Sequence, residues 1–188
     1  MSSQTGFSRF PLLRQEGMSA AQHEVYKRKM VGPWADLRGP FNAFMRSPVT
    51  ADKALELGNH IRHGNSLSDA LTELAILIVG RHWTAQYEWW AHYKRAKAAG
   101  LPMHIADAIA KNERPANMSA EEEAIYDFST ELLRTMQIGD DTWARMKKLF
   151  SEQQVVDLVA TCGFYVLISM MLNVAQAGIP DGEPAPLK

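Results

Sequence analysis

The chain has 188 residues, enough for one domain with a sizeable core. It is 46% hydrophobic and 22% charged, the balance of a folded globular protein rather than a disordered chain. A net charge of −1 offers no basic field for nucleic acid or an anionic membrane surface. One cysteine, Cys162, excludes an intrachain disulfide and fits a reducing, cytoplasmic setting.

Residues 1–18 read as an extended arm, with Phe7, Phe10, Pro11, Leu12 and Leu13 as its sticky points. It is either a partly ordered tail or an arm packed on its own domain or a neighbour. No charged-then-apolar order of a signal peptide is present in it. Ser19 and Gln22 have capping-box spacing and open a helix to about Met30, which Gly32-Pro33 ends. The stretch 32–48 is a Gly/Pro-punctuated loop, unusually apolar, with a short turn around Phe41–Met45. Such a loop either lids the core or walls a pocket and lends Arg38 or Asn42 to it.

Ser47-Pro48 starts a helix to about His63, with Val49, Ala54, Leu57 and Ile61 as its apolar stripe. His60 and His63 near its end have no partnering cluster of metal ligands, so no metal site is expected. Ser66 to Asp69 restarts the chain, and the helix at about 67–82 is apolar on nearly every side, hence central. Glu73 sits inside it. Thr84 is placed to cap a helix from Ala85 to about Ala99, closed by Gly100. A short helix follows over Met103–Lys111. Two further capping boxes, Ser119–Glu122 and Ser151–Gln154, open helices to about Met136 and Ala177. A short helix over Thr142–Phe150 separates them. Leu158–Ala177 carries no formal charge, but its polar residues make it a core or subunit-interface helix rather than a membrane span. Residues 178–188 read as a loose tail. No alternating strand pattern appears. The expectation is an all-α, single-domain bundle of about eight helices over residues 19–177.

Candidate chemistry concentrates in Glu73–Gly100. Glu88 and His92 are spaced i, i+4, about 40° apart around a helix, so they share a face. A carboxylate beside an imidazole fixes its tautomer and raises its pKa, giving a tunable acid or base. Glu73, on the preceding helix, joins them if the two helices pack as neighbours. A carboxylate in so apolar a helix needs a partner, and Arg81 and His82 are close in sequence. The bland readings are a solvated surface pair worth a few tenths of a kcal/mol, a structural ion pair at Glu73, and a core cluster of Trp83, Trp89 and Trp90. Phosphate-loop, HExxH, CxxC and GxSxG motifs are absent. Cys162 has no charged neighbour in its helix and reads as an inert core thiol.

These residues, ELAILIVGRHWTAQYEWWAH followed by KAAGLP, resemble the carboxymuconolactone decarboxylase superfamily, which includes the alkylhydroperoxidase D peroxidases. The segments PFNAFMRSP, SAEEEAIYDFSTELLR and VVDLVATCGFYVLISMMLN extend the resemblance over roughly residues 19–175. In the peroxidase branch a Glu is followed by CxxC and a His. Glu73 and His92 match the Glu and the His, while Ala85 and Glu88 stand at the two cysteine positions. No nucleophilic or resolving thiol is left, so thiol peroxidase chemistry is not expected.

The resemblance implies an all-α fold, a homo-oligomer (trimer or hexamer) with sites near subunit contacts, and a small-molecule substrate. It implies a cofactor-free lyase acting on a small carboxylated lactone or related ring acid by general acid–base catalysis. His92 would stabilise the oxyanion, and Glu88 would orient His92 or return the proton to carbon, with Glu73 beside them. Arg81 or Arg38 would hold the carboxylate, and Trp83 and Asn42 would line the pocket. Alternatives are an isomerase, hydratase or ring-opening enzyme using the same pair, and a non-catalytic oligomer that binds a small molecule.

Overall fold

The computed structural model describes residues 9–29, 37, 39–179, 183 and 185–188. Arg38 and Trp34 lie outside these residues. Among the described residues there are nine α-helices and no strand. They are α1 (Ala20–Lys29), α2 (Pro40–Phe44), α3 (Pro48–His63), α4 (Asp69–His82), α5 (Gln86–Ala98), α6 (Met103–Ala110), α7 (Ala120–Thr135), α8 (Asp140–Leu149) and α9 (Glu152–Ala175). The all-α expectation holds, and the short turn after Pro40 counts as a helix of its own.

Helix α4 is the axis of the molecule. Every residue from Leu71 to Gly80 is buried, and α5, α6, α7 and α9 pack around it. Full burial of one Leu or Ile side chain contributes about 1.5–3 kcal/mol, so this run is a major source of core energy. Three reciprocal caps fix helix starts: Ser19 with Gln22, Ser119 with Glu122, and Ser151 with Gln154. The start of α4 is shifted by two residues. Ser68 is its cap, while Ser66 gives both its N–H and its hydroxyl to Asp157 of α9.

Two expectations are corrected here. The inward stripe of α3 runs through Ala51, Ala54, Leu55, Gly58 and Ile61, whereas Val49 and Leu57 are exposed. Thr84 does not cap α5. It is left-handed (φ 47°), and Thr84 N–H to Arg81 O with Ala85 N–H to Gly80 O closes α4 in a Schellman motif. A β-branched residue there lacks the freedom glycine has at Gly100, which closes α5 in the same way with φ 86°.

Residues 9–13 and 187–188 are tied down. Asn42, fully buried, accepts from Leu13 N–H and donates to Phe10 O, and Arg46 donates to Pro11 O. Arg9 reaches Val174 O at the end of α9. At the other end, the Gln86 side chain makes paired hydrogen bonds to the backbone of Leu187, which is buried. Arg81 donates to Lys188 O. The tail expected to be loose is therefore anchored at 187–188. Helix α9 is long and apolar enough to cross a membrane, yet half of that stretch is buried inside the molecule, against α2, α3, α4 and α5.

Candidate active site

Helices α4 and α5 cross with Glu73 facing His92 and Glu88, and α9 closes the site from behind. Glu73 Oε2 lies 2.6 Å from His92 Nδ1, a hydrogen bond in which the ring N–H donates. His92 Nε2 lies 2.9 Å from Glu88 Oε1, an ion pair by distance that falls short of hydrogen-bond alignment. Glu88 is 3% exposed, His92 4% and Glu73 8%. An imidazole is thus clamped between two buried carboxylates. The Tyr165 ring stands edge-on to it at 4.9 Å, itself backed by Phe164.

Burial by itself would push the imidazole pKa down. The charges of Glu73 and Glu88, with the Glu73 hydrogen bond, outweigh it and raise His92 to about 9. At neutral pH the ring is an imidazolium with both N–H groups turned to carboxylates. Burial and the nearby Glu88 also push the Tyr165 phenol up, so it stays protonated. Glu88 Oε1 is buried against the His92 cation, and the Glu88 side chain lines a cavity of about 90 Å³ with Tyr87, His92, Phe164 and Tyr165. Gly39 (φ 75°) holds one wall, where a Cβ would lie 2.8 Å from the Tyr87 ring.

On the Glu73 side lies a larger cavity of about 410 Å³. Arg62 of α3 and Arg95 of α5 line both cavities. Arg62 Nε donates to Gly58 O, and burial holds its pKa down to about 10, still charged at neutral pH. Among the described residues no cluster of three or more His, Cys, Asp or Glu is arranged to hold a metal ion.

Glu73, Glu88 and His92 are therefore brought together as expected from the sequence, whereas Arg81, Trp83 and Asn42 lie elsewhere. Arg81 follows Glu73 by two turns, about 12 Å along the helix. It lines a separate cavity of about 250 Å³ with His82 and Arg134. Trp83 ends α4, its carbonyl accepting from Asn173 and its ring meeting His82. Asn42 holds the N-terminal arm. The sequence reading passed over Arg62, Arg95, Thr72 and Tyr165. Arg95 was legible, since Glu88, His92 and Arg95 follow i, i+4, i+7 on one helical face. Cys162 is buried, its thiol pushed up to about 11 by burial and hydrogen-bonded to Ser129.

No protein-family model and no curated protein matches the chain. Seven solved chains match it, and two of them illustrate the shared fold. One is an uncharacterized peroxidase-related protein from Silicibacter sp. TM1040, with a TM-score of 0.76 at 14% identity, covering 95% of this chain and 94% of that one. The other is a protein of unknown function from Agrobacterium tumefaciens, suggested to be the antioxidant defence protein AhpD. It has a TM-score of 0.66 at 16% identity, covering 76% of this chain and 99% of that one. The fold is the AhpD-like helical fold.

Proposed function

We propose that the protein is a lyase that decarboxylates a small ring acid, such as a carboxylated lactone, by acid–base catalysis through Glu88, His92 and Glu73. One observation carries this reading: a buried imidazolium held between two carboxylates, one of which, Glu88, lines a small cavity.

We assign roles that differ from those expected from the sequence. Both His92 nitrogens face carboxylates, so the ring does not offer a free N–H to the substrate. Its positive charge stabilises the developing enolate through space. Glu88 is the group in reach of the substrate. When the C–C bond to the carboxylate breaks, the electron pair moves into the conjugated lactone carbonyl and CO2 leaves. The proton held at His92 passes through Glu88 to the carbon, and solvent later restores it. Glu73 anchors Nδ1 and keeps Nε2 aimed at Glu88. The Phe164 and Tyr165 walls exclude water, which favours loss of a charged carboxylate. The acid and the base both come from the chain, so no cofactor is invoked.

The same relay serves proton-transfer isomerisation, hydration or ring opening. Burial of the Glu88–His92 pair favours catalysis over a binding protein in which that pair would be solvated. We also infer a cytoplasmic homo-oligomer. Val156, Val159, Leu167, Met170 and Val174 leave an apolar stripe exposed along α9, which a second copy would cover.

The test is CO2 release from 4-carboxymuconolactone by the purified protein, with Glu88→Gln as the control. Release is expected, reduced about 10²–10⁴-fold in the variant. Substrate loss without CO2 moves the assignment to isomerisation or ring opening. An untouched substrate, or full turnover by the folded variant, overturns it.

A further inference from the structure

We infer that Thr72, Arg62 and Arg95 form an oxyanion subsite in the larger cavity, built for the single carboxylate of a small ring acid. The inference rests on the acid–base reading of the adjoining relay, and its test reads binding rather than turnover.

Thr72 provides the first observation. It is 5% exposed, lines the 410 Å³ cavity, and its Oγ1 is a buried hydroxyl with no hydrogen-bond partner. A helical threonine ordinarily returns its hydroxyl to the carbonyl one turn back. Here the Ser68 carbonyl takes only the Thr72 backbone N–H, and the hydroxyl is left to a ligand. The second observation is independent and comes from two other helices. The guanidinium groups of Arg62 and Arg95 line the same cavity, and guanidinium is the side chain best shaped to grip a carboxylate with two parallel N–H donors. Arg62 Nε is anchored on Gly58 O, which limits the freedom lost on binding.

The charges around the cavity select the ligand. Arg62 and Arg95 face Glu73, and Asp69 and His63 stand exposed at its rim. With the His92 imidazolium, three cations face the two buried carboxylates Glu73 and Glu88, which leaves one positive charge to balance one added negative charge and not two, since Asp69 is solvated at the rim. That favours a monocarboxylate over a phosphate. The volume lies within the usual range for a small-molecule pocket. Thr72 precedes Glu73 on α4, so an acid held here lies beside the carboxylate that anchors His92.

The experiment is isothermal titration of the full chain with benzoate, with benzamide and inorganic phosphate as comparison ligands. The variants are Arg95→Gln, at an exposed position, and Thr72→Val, which removes only the hydroxyl. Wild type is expected to bind benzoate, and benzamide about tenfold more weakly or worse. Arg95→Gln is expected to lose about tenfold and Thr72→Val several-fold. Wild type without benzoate affinity, phosphate bound in preference, or variants that bind like wild type would overturn the subsite. If Thr72→Val fails to fold by circular dichroism, Arg95→Gln decides. Benzoate binding without CO2 release sinks the reaction alone. CO2 release without benzoate binding sinks the subsite alone.

Discussion

Raising the pH should weaken this protein through one side chain. Folding raises His92 from an ordinary 6.5 to about 9, because the native state binds its proton more tightly than the unfolded chain. That stabilisation is complete below pH 6.5 and is lost as pH climbs through about 9. At about 1.4 kcal/mol per pH unit, the interval corresponds to about 3 kcal/mol. For a chain of this size that is a fall in Tm of roughly 6–12 °C. The assay is thermal unfolding between pH 6 and pH 10 for wild type and His92→Gln. The variant cannot titrate there, so subtracting its curve removes the contribution of other groups. The His92 ring protons followed by NMR give the pKa directly and remain readable if the variant is weak. Parallel curves for the two proteins, or a ring that titrates near 6.5, would refute the clamped imidazolium.

Two structural predictions accompany it. Thr84→Gly replaces a β-branched residue at a left-handed position (φ 47°) and should stabilise by about 1 kcal/mol, seen as a Tm rise of roughly 2–4 °C; a lower Tm would contradict the strain argument. Asn42→Ala leaves Leu13 N–H and Phe10 O without their partner. It should cost about 2 kcal/mol and expose residues 9–14 to limited proteolysis, and an uncut arm would show that Asn42 does not hold it.

The relay was legible in the sequence because all its members lie within twenty residues and helical spacing fixes their relative placement. Glu88 and His92 share a face by arithmetic, and Glu73 joins them through the commonest packing, that of consecutive helices. Arg62 and Tyr165 come from α3 and α9, and only tertiary packing carries them to His92. Arg62 had a local signal that a misplaced stripe hid. Once Gly58 rather than Leu57 is seen to face inward, Arg62 follows one turn later on the same face. Arg81 was assigned by nearness in sequence, and two turns of helix rise carried it into a different cavity. Thr84 shows the other way a local rule fails. A threonine before a helix reads as a cap, yet here the end of one helix and the start of the next are so close that closing α4 takes precedence.

Cys162 gives the protein a clock of its own opening. The lone thiol is buried between α9 and Ser129 of α7, and burial keeps it protonated at neutral pH. A thiol reagent can reach it only when the packing around α9 opens. The rate of its modification under native conditions therefore counts those openings. Because α9 also backs His92 through Tyr165, any small molecule that tightens the site should slow that clock, and the slowing can be read with no knowledge of what the molecule becomes.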